Sequence, residues 1–272
     1  MKKHITLFVM LCMTICAWAA NYKTISNIAY HTDGNDYAKE RCMLDFYYPE
    51  GEKDFPVVVW FHGGGLIEGN KYIPEELKDA GLGVIAVNYR LMPKCSIREC
   101  FDDAAAAVAW AFKEAPKYGA SAKKVFISGH SAGATLVDMV ALNKEYLFRY
   151  GIDADEIAGV FPFSGQVIDH YNLRKFEQQL PPLISTIGKD APIYYTRKLA
   201  QPMVILSGDR ELELFGRYEE TAWFWRMMKL AGNEQIFIYE LDGYDHGNMP
   251  GPAFAIMKRY IKAICNGEEL KR

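Results

Sequence analysis

Gly129-His130-Ser131-Ala132-Gly133 satisfies the pattern G-x-S-x-G, and its setting matters more than its letters. An apolar run, Lys124-Val125-Phe126-Ile127-Ser128, leads straight into it, and a helical pattern over 132–150 leaves it. A sharp strand-to-helix turn of this kind projects a serine oxygen away from the backbone, and flanking glycines let the chain pack there without side-chain clashes. The helix start at Ala132 also aims free N–H groups at any negative charge that develops nearby. A second pattern, His62-Gly63-Gly64-Gly65, follows the apolar run Val57–Phe61. Backbone N–H groups of Gly64 and Gly65, with that of Ala132, suit an oxyanion hole for acyl transfer. A phosphate or dinucleotide loop is the competing reading of the glycines, but GKS/GKT and GxGxxG are both absent from the sequence.

A serine alcohol needs a base at neutral pH, and six histidines are available. His4 falls in the N-terminal segment, His62 belongs to the glycine turn, and His130 adjoins the serine on a tight elbow from which its side chain should diverge. His31 precedes the first expected strand and His170 lies in an irregular stretch. His246, in Gly243-Tyr244-Asp245-His246-Gly247, follows the last expected strand, at the end of the sheet where open α/β folds build their sites. It is the expected base. The orienting acid should come from the loop after the preceding strand, where Met203–Ser207 runs into Gly208-Asp209-Arg210-Glu211. Asp209 is the choice there, with Glu211 and Glu213 as nearby substitutes; Asp242 and Asp245 are expected to shape the histidine loop.

The elements that must hold these residues follow from hydrophobic period. Leu44–Tyr48 alternates like an edge strand, whereas 56–61 and 83–87 are continuous apolar runs, as strands covered on both faces require. Further strands are expected at 124–128, 157–163, 203–207 and 235–241. Pro74–Ala80 is a short helical candidate. Ser96 and Glu99 form a capping box opening a helix with Ile97, Phe101, Ala104, Val108 and Phe112 on one stripe. Helices near 216–231 and 252–265 follow the last two strands, with Gly232 as a C-cap. Strands alternating with helices predict an α/β fold with a mostly parallel central sheet and helices on both faces. Residues 166–200, rich in proline and aromatics without a clean period, read as a short cap-like excursion over one end of the sheet. Tyr171, Phe176, Tyr194 and Tyr195 within it are candidates to line a substrate pocket or simply to pack the cap.

The 272 residues with 31 basic and 34 acidic side chains carry a formal charge of −3, no field to recruit nucleic acid or an anionic membrane. Half the chain is hydrophobic, which excludes disorder and a disulfide-dense miniprotein. Residues 1–19 read as an export signal: Lys2 and Lys3, an apolar run from Ile5 to Cys16, then Ala17-Trp18-Ala19 as a cleavage site. The remaining 20–272 read as one domain. Export would leave Cys42, Cys95, Cys100 and Cys265, among which Cys95 and Cys100 are the only close pair; a disulfide and two buried thiols are both open readings. No CxxC or Cys/His spacing suggests zinc, so neither metal nor cofactor is expected.

HGGG, then GHSAG, then Gly208-Asp209, then His246, in that order on alternating strands and helices, resembles the α/β-hydrolase superfamily. Within it the chain is similar to the hormone-sensitive-lipase-like and carboxylesterase branch, which includes bacterial acetylxylan and feruloyl esterases. The resemblance implies a cofactor-free serine esterase with Ser131 as nucleophile, His246 as base, Asp209 as acid and Gly64, Gly65 and Ala132 as oxyanion donors. It further implies a small-molecule or carbohydrate ester as substrate, with no nucleic-acid partner and no membrane after processing. The elbow carries His where many lipase-like relatives have Asp, and the extra acids of Gly-Asp-Arg-Glu-Leu-Glu leave the acid position open. An arylformamidase, a small peptidase and a non-catalytic binding protein on the same scaffold are the alternatives; the intact motif set disfavours the last.

Overall fold

Eight strands form one sheet in the order β1-β2-β4-β3-β5-β6-β7-β8 in the computed structural model, which describes residues 21–31, 35–181, 183–214 and 216–272. The strands are β1 (Tyr22–Ala29), β2 (Met43–Pro49), β3 (Phe55–Phe61), β4 (Gly83–Val87), β5 (Ala120–His130), β6 (Gly159–Phe163), β7 (Met203–Gly208) and β8 (Ile236–Leu241). β1 and β2 are antiparallel to their neighbours and all pairings among β3 to β8 are parallel. The helices are α1 (Asp36–Arg41), α2 (Ile97–Lys113), α3 (Ala132–Leu142), α4 (Glu145–Phe148), α5 (Tyr171–Phe176), α6 (Arg217–Leu230) and α7 (Pro250–Asn266). The export-signal segment lies outside the described residues.

Continuous apolar strands exist because both faces of the sheet are covered. In β3, Val57, Val59 and Phe61 enter the core beneath α2 and α3, while Val58 and Trp60 enter a second core beneath α7. Trp60, Phe163 and Phe254 pack there with ring centroids 4.9–5.7 Å apart. Burying two such faces is the main stabilising contribution, since each large apolar side chain is worth about 1.5–3 kcal/mol. The capping box at α2 forms in both directions, Ser96 accepting from Glu99 N and Glu99 from Ser96 N.

Several expected elements differ. β2 is not an edge, because β1 pairs along its outer side; the polar, short-period sequence of β1 hides it. The helix expected over 132–150 breaks after Leu142, where Asn143 turns to an extended backbone and its side chain accepts from Glu145 N. Pro74–Ala80 yields only a 3-10 turn at Glu75–Leu77. The stretch 166–200 contains α5 and a 3-10 turn at Pro192–Tyr195. It is tied down by Arg98–Asp190 and by Glu177 accepting from Ile97 N. Cys95 and Cys100 are buried free thiols with sulfurs 3.5 Å apart, and Cys100 donates to the Arg90 carbonyl.

Candidate active site

Four neighbouring parallel strands deliver the chemistry to one edge. His130 is level with Phe163, Phe163 with Leu206, and Leu206 with Tyr239. The residues just beyond β5, β6, β7 and β8 therefore emerge side by side. This is the carboxyl end of the sheet, where the strand termini and helix starts leave backbone donors unsatisfied.

Ser131 stands between β5 and α3 with φ 56° and ψ −119°, and its N–H donates to Phe163 O at 2.8 Å. The turn demands its glycines. A Cβ on Gly129 would lie 2.6 Å from the Gly133 carbonyl, and one on Gly133 would collide with the Phe61 carbonyl oxygen. Gly63 packs against the elbow as well: a Cβ there would lie 3.2 Å from Ser131 Cβ. Gly64 and Gly65 have φ of 104° and 61°. Gly65 O accepts from Asn172 Nδ2 at 2.6 Å, and the Tyr171 hydroxyl occupies the space a Gly65 side chain would need. Thus the start of α5 both braces the HGGG loop and brings Tyr171 to the site. Phe176, Tyr194 and Tyr195 do not share that contact; Tyr195 donates to Lys189 O, and Tyr194 packs edge-on against it. Among the described residues, no acceptor engages the N–H groups of Gly64, Gly65 or Ala132.

His246 meets a carboxylate through Nδ1, and that carboxylate is Glu213, at 2.7 Å. Asp209, the residue expected from the sequence, is not the partner. Its oxygens accept from Glu211 N at 2.9 Å and Gly243 N at 2.8 Å, while its own N–H donates to Tyr244 O. It stitches the loop after β7 to the loop after β8. The cause is local: Glu213 N donates to Asp209 O at 2.9 Å, a single helical turn that swings Glu213 back over the end of β7. Glu211 takes no part beyond its N–H. Asp245 caps its own loop, accepting from Asn248 N.

Every oxygen of Glu213 is engaged. Oε1 accepts from Ser164 Oγ at 2.5 Å and Gly208 N at 3.0 Å; Oε2 accepts from His246 and from Leu214 N at 3.1 Å. Burial opposes its ionisation, yet the hydrogen bonds from His246, Ser164 and Gly208 outweigh that cost and lower its pKa to about 2. The side chain is 1% exposed, so it is a buried, fully satisfied carboxylate aimed at an imidazole. With Nδ1 as the donor, Nε2 of His246 is left as the acceptor. No hydrogen bond joins His246 to Ser131 Oγ among the described residues; such nucleophile–base contacts commonly tighten only around substrate.

The other histidines do different work. His130 does diverge from the serine: its Nε2 donates to His246 O at 2.8 Å and its ring lies 4.7 Å from that of His246. Burial, then repulsion from His246, lowers its pKa to about 4, so it is a neutral strut for the histidine loop. His62 stacks on Tyr89 with centroids 4.4 Å apart, donates from Nδ1 to Gly63 O, and is lowered to about 4 by burial. His170 is the N-cap of α5, accepting from Asn172 N. Among the described residues, no group of three or more His, Cys, Asp or Glu side chains is arranged to hold a metal ion.

Sheet order, elbow, backbone donors and a carboxylate–imidazole pair at the carboxyl edge define an α/β-hydrolase fold. A family model described as BD-FAE matches residues 44–213, well over half of the chain, and the chain belongs to that family. "Probable carboxylesterase 1" of Arabidopsis thaliana is 28% identical over 174 residues, covering 57% of this chain and 50% of its own. "Tuliposide A-converting enzyme 2, chloroplastic" of Tulipa gesneriana is 25% identical over 250 residues, covering 79% and 64%. The chain thus spans between about half and two thirds of the length of these two relatives. Among solved structures, a truncated form of carbohydrate esterase from gut microbiota superposes with a TM-score of 0.71 at 18% identity, covering 90% of this chain and 97% of the other.

Proposed function

We propose that this protein is a serine carboxylic ester hydrolase that cleaves short-chain acyl esters through an acyl-enzyme, with Ser131, His246 and Glu213 as the triad. The observation that carries this reading is the buried Glu213–His246 pair at the sheet edge that also presents the Ser131 elbow. Ser131 Oγ attacks the ester carbonyl while its proton passes to His246 Nε2. Glu213 holds the imidazole in the tautomer that can accept that proton and stabilises the imidazolium that results. The carbonyl oxygen becomes an oxyanion facing the N–H groups of Gly64, Gly65 and Ala132, each such donor being worth about 10²–10³ in rate. Collapse expels the alcohol, which takes the proton from His246 and leaves the acyl group on Ser131. Water then repeats the sequence: His246 takes its proton, the acyl group leaves as the acid, and Ser131 recovers its hydrogen.

The natural substrate in this reading is an acyl ester of plant polysaccharide, acetyl or feruloyl, met after export. The short cap supports small acyl groups over long lipid chains. A cleft of about 530 Å³ between the cap and α6, lined by Ile168, Arg174, Glu219, Glu220 and Trp223, contains none of Ser131, His246 and Glu213, so the sugar-bearing alcohol rests on the family likeness. The name of the gut carbohydrate esterase points the same way. Ser131→Ala should abolish nearly all hydrolysis of p-nitrophenyl acetate and labelling by a fluorophosphonate probe. Unchanged turnover by that variant would remove Ser131 as the nucleophile. Acetate release from acetylated xylan by the parent enzyme, set beside a p-nitrophenyl ester series of rising chain length, tests the substrate.

A further inference from the structure

Ser164 is the residue after β6, as Ser131 is the residue after β5, and it too has a positive φ, 51°. Glycine would adopt that conformation without cost, whereas a residue carrying a Cβ is disfavoured there. Its main chain is held on both sides: N–H donates to Leu206 O at 2.7 Å, and the carbonyl accepts from the buried Arg217 guanidinium. The next residue is closely packed as well: a Cβ on Gly165 would lie 2.8 Å from Ala134 Cβ in α3. Ser164 is fully buried. The one thing a serine supplies here that glycine would not is a hydroxyl at a fixed point.

That point is the carboxylate. Ser164 Oγ donates to Glu213 Oε1 at 2.5 Å and lies 3.2 Å from His246 Nδ1. The carboxylate has two anchors on the Oε1 side, Ser164 Oγ and Gly208 N. We propose that Ser164 is a fourth member of the constellation, a positioning residue that fixes the Glu213 carboxylate against His246. Backbone strain stored at a buried hydroxyl is what a functional demand at that position produces. The inference rests on the Ser131–His246–Glu213 reading and adds a residue that the motifs do not contain.

Ser164→Ala and Ser164→Gly should each lower kcat on p-nitrophenyl acetate by about 10- to 100-fold, the range a lost hydrogen bond to a charged group implies. KM should stay within about threefold, because Ser164 touches the acid and not the substrate. The acid limb of kcat/KM should move to higher pH, since the Glu213–His246 pair loses a donor that favours the ionised carboxyl while His130 and Arg217 stay in place. Ser164→Cys, which keeps a weak donor, should recover part of kcat. Ser164→Gly relieves the positive φ, so its melting temperature should equal or exceed that of Ser164→Ala, separating lost activity from lost folding. Parental kcat and an unmoved pH profile in Ser164→Gly would overturn the proposal. If Ser131→Ala is inactive in that same experiment, only the role of Ser164 fails; an active Ser131→Ala removes the triad reading and the role of Ser164 with it.

Discussion

Glu213→Gln is a near-isosteric change with a specific chemical consequence. Oε1 receives two donors, Ser164 Oγ and Gly208 N, so the amide oxygen must take that side. The amide NH₂ then occupies the Oε2 position, facing His246 Nδ1 at 2.7 Å and pointing at the Leu214 N–H. An NH₂ facing Nδ1 selects the tautomer with its hydrogen on Nε2, which cannot take a proton from Ser131. Wrong-tautomer substitutions of a triad acid lower kcat by about 10⁴, equivalent to about 5.5 kcal/mol. Asp209→Asn should cost less than about tenfold, because the Asp209 carboxylate accepts from the main-chain N–H groups of Glu211 and Gly243 and not from His246, and an amide oxygen can keep one of those bonds. The assay is kcat on p-nitrophenyl acetate for both variants, with thermal melts to confirm folding. A 10⁴-fold loss in Asp209→Asn beside a loss under tenfold in Glu213→Gln would refute the assignment of the acid.

The same carboxylate contributes to acid stability. Its folded pKa is depressed from 4.5 to about 2, so its contribution is fully present above pH 4.5 and is lost as pH falls towards about 2. Urea unfolding midpoints across that range should therefore fall more steeply in the parent than in Glu213→Gln. Asp103→Ala should destabilise by about 3–5 kcal/mol by urea titration. Asp103 is wholly buried and receives hydrogen bonds from Arg90 Nε, Nη2 and N, so its loss leaves a buried guanidinium short of its main counterion. Gly65→Ala places a methyl group at positive φ against the Tyr171 hydroxyl and should lower kcat by about 10²-fold or more. Adding Tyr171→Phe should restore part of that loss by removing the colliding oxygen; no restoration would place the damage in the backbone alone.

The sequence carries the fold because the signals that specify it are local. Alternating continuous strands and amphipathic helices predict a parallel sheet covered on both faces, and the chain forms one. The capping box at Ser96 and Glu99 forms as its spacing requires, and Gly232 ends α6 with φ 89°. The strand–elbow–helix unit around Ser131 is likewise contained in a few consecutive residues. β1 was hidden because its outward, polar face gives no alternation to read, its burial pattern showing no buried position at all. The break at Asn143 was hidden because an apolar stripe resumes on its far side with Tyr146 and Leu147.

What the sequence by itself determined, then, was the fold class, the Ser131 elbow and a histidine at the end of the last strand, all settled by residue type and spacing within single segments. Which acid faces that histidine was decided by tertiary structure alone. Asp209 is nearest the end of β7 in sequence, but the turn it initiates spends its oxygens on Glu211 N and Gly243 N and swings Glu213 inward. The contacts of Ser164 and His130 belong to the same category: each joins the ends of different strands, and their partners lie 49 and 116 residues away in the chain. Position along one strand can be read from hydrophobic period, whereas the direction of a carboxylate depends on hydrogen bonds from four segments at once.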